Sequence, residues 1–118
     1  MVHNNLADLH MQFKAQGVEI LNAFSLNMLQ EDNTIDFHRI SRDIVRYLLV
    51  DVEVHSHIGH QDTAALVSTD LGVEIPMVRD TYTFEGCAIV AQYTGPRLAE
   101  GTTVLPEGAA ITYWLVQA

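Results

Sequence analysis

The chain has 118 residues, 48% hydrophobic and 18% charged, with fifteen acidic against six basic side chains and a formal net charge of −9. That length buries one core without staples, so a single small domain is expected, and the composition excludes disorder and fibrous repeats. So acidic a chain has no long-range attraction for polyphosphate, which argues against DNA or long RNA as partner but not against a small anion held by local arginines.

Residues 1–16 read as an N-terminal extension ahead of a domain spanning 17–118. The opening, MVHNNLADLHMQF, lacks the basic stretch and apolar core of a signal peptide. No apolar run approaches the roughly 20 residues that cross a bilayer, so no membrane partner is expected. Leu6, Leu9 and Phe13 fall at helical spacing, enough for one marginal amphipathic turn or two. GVEILNAF (17–24) is apolar and β-leaning, a buried first strand. Ser25 then caps a short helix, LNMLQE, with Leu26, Met28 and Leu29 packing inward. NTIDFHRI shows an imperfect strand alternation. SRDIVRYLL reads as a helix capped by Ser41, with Ile44, Val45, Leu48 and Leu49 on one face and Arg42 and Arg46 on a solvated one. VDVEVHSHI alternates as a strand or extended arm. From Gln61 the pattern is helical through Leu71, and Gly72 suits its C-terminal stop. VRDTYTF and CAIVAQYT flank Glu85-Gly86 as a hairpin. GPRLAEGTTVLPEG is a loop and AAITYWLVQ a last strand. The expected fold is α/β or α+β, a single compact domain with a mixed sheet of about five strands flanked by short helices.

Three histidines crowd VHSHIGHQDT. Their spacing nearly spells the H-x-H-x-D-H signature of two-metal hydrolases, but Gly59 stands where the acid should be. His55 and His57, two apart on a strand, share a face and offer two zinc ligands, yet no histidine follows His60 to complete a site. The alternative is that both are ordinary polar residues of a half-buried strand, and no metal is expected. Gly59-His60 opens a helix, where unpaired N–H groups and the helix dipole receive phosphate. No GxxxxGK, GxGxxG or GxSxG pattern supports a phosphate loop or a serine nucleophile. Cys87, the only cysteine, lies in an apolar strand, excludes an internal disulfide and fits a cytoplasmic setting. In QYTGPRLAEG, Arg97 can fork onto a phosphate and Glu100 orient it or a hydroxyl, unless this is an ordinary charged loop. Arg79 is either a ligand clamp or a partner of Asp80.

Taken together, LNAFSLNML, IGHQDTAALVSTDLG, the lone arginine of MVRDTY and Gln92 followed by RLAEG resemble, in this order, the viral ring nucleases. This small anti-CRISPR family of archaeal viruses and bacteriophages destroys cyclic tetra-adenylate, the second messenger of type III CRISPR immunity. The resemblance runs from about Val18 to the C-terminus. It implies an α/β homodimer with the ligand across its two-fold axis, working without metal or cofactor in the host cytoplasm if virus-encoded. It also implies catalytic roles for His60, Arg97 and Glu100, and substrate binding by Asn22, Ser25, Gly59, Arg79 and Gln92. Attack by a ribose 2′-hydroxyl, with His60 protonating the departing 5′-oxygen, would leave linear di-adenylates with 2′,3′-cyclic phosphate ends. The chain departs from the family in having one residue more between Gln92 and Arg97. Two other expectations stand beside enzymatic cleavage: a sponge that binds the cyclic nucleotide uncut, and a structural or interaction protein that keeps only the fold.

Overall fold

In the computed structural model, which describes residues 5–118, Asn5 starts helix α1 (Leu6–Gln16) by accepting from the amides of Ala7 and Asp8. The first four residues of the expected extension lie outside the described residues. Leu9 and Phe13, four apart on α1, are buried in the main core. The expected marginal turn is therefore a full helix packed into the domain, because a helix this short holds in water chiefly when an apolar face is covered.

Strand β1 (Val18–Leu21) follows, then a single 3-10 turn (Leu26–Met28), β2 (Asp36–Ile40), α2 (Arg42–Leu48), β3 (Val54–Ser56), α3 (Gln61–Leu71), β4 (Cys87–Thr94) and β5 (Ala110–Gln117). The strands form one mixed sheet in the order β2-β5-β4-β1-β3. β1 runs parallel to both β3 and β4, while β5 runs antiparallel to β4 and β2. The fold is α+β, with five strands and three α-helices among the described residues, as expected, although α1 takes the place of the helix assigned to LNMLQE. There Ser25 does cap, accepting from the Asn27 amide, but only one 3-10 turn forms and Leu26 is 80% exposed.

Helices α1, α2 and α3 cover one face of the sheet, where Phe13, Val45, Leu48 and Val67 meet Ile20, Ile89 and Leu115. Ser41 caps α2 through the Ile44 amide, and Gly72, at φ 72°, ends α3. Asp70 joins three elements: Arg42 and Arg46 of α2 donate to it, and so does the Tyr113 hydroxyl of β5 at 2.6 Å. The arginines read as a solvated face thus also tie α2 to the end of α3.

On the second face Leu21, Ala88, Val90 and Val116 lie under Tyr82 and Phe84. This corrects the hairpin expected at Glu85-Gly86, since residues 80–85 pair with no strand. Tyr82 and Phe84 alternate as strand residues do because both rings pack onto this face of the sheet.

Candidate functional site

Parallel pairing brings the carboxyl ends of β1, β3 and β4 to one edge of the sheet. Asn22 and Ser25 follow β1, residues 57–60 follow β3, and residues 95–101 follow β4. β1 lies between the other two, so the three connections gather at one end of the sheet.

His60 occupies the N-cap position of α3, yet its side chain makes no capping hydrogen bond and is exposed. The first-turn amides of the helix have no intrahelical acceptors. A cleft of about 480 Å³ brings His60 together with Arg97 and Glu100, and Asp62, Thr63 and Tyr93 line it as well. Asp62 accepts from the Gly101 amide at 3.2 Å, and the Tyr93 hydroxyl donates to the Pro96 carbonyl at 2.6 Å. The first bond holds the loop of Arg97 and Glu100 against the helix start, and the second fixes its turn to the end of β4. Gly95 adopts φ 154°, and a Cβ there would come within 2.6 Å of that of Ala109, so the turn before Arg97 requires glycine. Sequence reasoning missed Asp62 and Tyr93. An acid in a helix's first turn is an ordinary partner for its dipole and gave no separate signal.

Arg79 packs on the β3–α3 junction: its Nε donates to the Gly59 carbonyl at 3.0 Å, next to a Val78 amide bond to Ile58 at 2.9 Å. Asp80, the alternative partner for Arg79, pairs instead with His57 at 2.8 Å. The other nitrogen of His57 meets Glu19 at 2.7 Å, and His55 lies between Glu19 and Glu53. Both nitrogens of both rings thus face carboxylates, in a ladder Glu53–His55–Glu19–His57–Asp80 that ties β3 to β1 and to the Arg79 segment. His55 and His57 act as scaffold. The hydrogen bond with Glu19, and then that with Glu53, raises the His55 pKa above its ordinary 6.5.

Gln92 does not enter the His60 cleft. It neighbours Tyr93 on β4, and successive strand residues face opposite sides. Tyr93 lines the cleft, whereas Gln92 lines a recess of about 380 Å³ on the second face, with Phe24, Phe37 and Trp114. Asn22 is half-buried just past β1, and Ser25 is exposed, its hydroxyl engaged in capping the 3-10 turn. Both sit at the same sheet edge without joining His60 in the cleft. Burial pushes the Cys87 thiol up to about 11, which keeps it protonated at neutral pH and unsuited to nucleophilic work.

Residues 18–112 match the family described as STIV B116-like. The chain belongs to that family. The match contains every strand start, both α2 and α3, and all the residues of the cleft, while α1 falls before it. Among solved structures, B116 of Sulfolobus turreted icosahedral virus (STIV) superposes with a TM-score of 0.67 at 25% identity, over 86% of this chain and 98% of that one. No curated protein matches. Among the described residues no helix is long and apolar enough to cross a membrane.

Proposed function

We propose that the chain is a metal-independent ring nuclease that opens cyclic tetra-adenylate into linear di-adenylates as a homodimer, and so disables type III CRISPR signalling on behalf of a virus. What carries the reading is that His60 meets the sequence-distant Arg97 and Glu100 in one cleft at the start of a helix. Membership in a family that takes its description from a viral protein is consistent with a viral role.

In this mechanism a ribose 2′-hydroxyl attacks the adjacent phosphorus in line. Arg97 and the first-turn amides of α3 offset the charge that grows on the phosphoryl oxygens. Arg79, fixed by its Nε bond to Gly59, extends the same cationic edge. Glu100 orients the attacking hydroxyl and accepts its proton as the 2′-oxygen bonds to phosphorus. His60, with a side chain free of capping duty, donates a proton to the departing 5′-oxygen.

The deciding experiment incubates the purified protein with cyclic tetra-adenylate in EDTA. Linear di-adenylates with 2′,3′-cyclic phosphate ends are expected. An intact ring after prolonged incubation at high enzyme concentration would reject the reading. Stoichiometric retention, with unmodified ligand recovered after heat denaturation, would identify a sponge.

A further inference from the structure

We propose that the recess on the second face of the sheet is a stacking site for the adenine ring of an adenylate. The pairing register builds its floor from neighbouring strands, Val90 of β4 beside Trp114 of β5. Phe37 and Phe24 wall it, their ring centroids 5.5 Å apart and nearly perpendicular at 87°. Gln92 stands one pleat further along β4. At about 380 Å³ the recess is large enough for a small ligand, since such sites start at about 300 Å³.

The chemistry of the lining selects the occupant. Phe37 is 50% exposed, so its ring has a face to offer. The Trp114 indole N–H donates to Thr112 Oγ1 at 3.2 Å, which satisfies the ring's one polar atom and fixes its orientation. The Gln92 amide and the Arg39 guanidinium have no hydrogen-bond partner among the described residues. An aliphatic ligand would cover the rings and leave that amide unmet. A purine instead stacks on the aromatic surface. The side-by-side donor and acceptor of Gln92 suit the N6/N7 edge of adenine, whereas guanine presents two acceptors there. Arg39, exposed on β2 and the cross-strand partner of Trp114, suits a phosphate attached to the base.

This assignment rests on the reading of the chain as an enzyme of adenylate rings, and it adds base recognition on the face opposite the His60 cleft. Trp114 is the only tryptophan, so its emission reports on the recess alone. The full chain is titrated with AMP, GMP and ribose 5-phosphate while that emission is followed. A saturable change with AMP, weaker binding of GMP and no response to ribose 5-phosphate are expected. Phe37→Ala and Gln92→Leu should each weaken AMP binding by about 5- to 100-fold, with circular dichroism unchanged, because both side chains project from the surface. A flat titration, an equal response to ribose 5-phosphate, or an emission change that follows protein concentration alone, as a second copy covering the recess would give, overturns the proposal. Cyclic tetra-adenylate cleavage is assayed in parallel. Cleavage with an unresponsive Trp114 rejects the recess and leaves the nuclease reading intact; a Trp114 response to AMP without cleavage does the reverse.

Discussion

His60 and Gly59 separate chemistry from architecture at the scale of single residues. The His60 side chain supports nothing in the fold, so His60→Ala should leave the melting curve in place and lower single-turnover cleavage of cyclic tetra-adenylate by about 10² to 10⁴. Equilibrium binding should persist through Arg79 and Arg97, and its loss would reassign His60 to recognition. Gly59 gives a finer test. A Cβ there would meet Arg79 Cγ at 3.5 Å and the Val78 carbonyl at 3.7 Å, both ordinary contacts, so the fold does not require glycine. Gly59→Ala should melt as the parent does yet bind the cyclic ligand less tightly, because the added methyl occupies the approach to the helix start. Unchanged affinity would mean that the ligand does not pass over Gly59.

Among elements, α1 and its junction with β1 carry more of the fold than their composition suggests. Phe13 is 1% exposed, and Phe13→Ala should cost about 3 to 5 kcal/mol in urea unfolding. A cost near zero would return α1 to the status of an appendage. Gly17 links the two elements at φ 82°, and a Cβ there would lie 2.6 Å from His55 Cε1. Gly17→Ala is therefore expected to destabilise by at least about 1 kcal/mol, from the left-handed backbone and the displaced imidazole together. Such a displacement reaches past the junction, because His55 is one rung of the carboxylate–histidine ladder.

That ladder sets a pH dependence for the molecule as a whole. The folded His55 pKa is raised above 6.5 by Glu19 and Glu53, so its contribution to stability is fully present below pH 6.5 and is lost as pH rises through the folded value. Melting temperature should fall as pH rises above 6.5, and His55→Gln should flatten that fall. An equally steep profile in the variant would place the titrating group elsewhere.

The sequence by itself determined the elements whose signals are local. The Ser41 cap, the helical spacing from Gln61 to Leu71 with Gly72 behind it, and the apolar run of β4 follow from backbone and side-chain preferences that act within a few residues. It also supplied the ordered motifs that point to His60, Arg97 and Glu100, because residue type and spacing are properties of the chain. What it left open depended on partners distant in sequence. Whether Leu9 and Phe13 make a helix or fray was decided by the core that α2 and β1 offer them. Tyr82 and Phe84 carry strand periodicity but belong to no strand, since alternation records which side chains are covered and not what the backbone pairs with. Asp80 chose His57 over its neighbour Arg79 through the folded chain, and Gln92 was separated from His60 by the pleat of β4. The tertiary structure alone decided which polar residues meet, because ion pairs and clefts form between side chains whose proximity no local preference encodes.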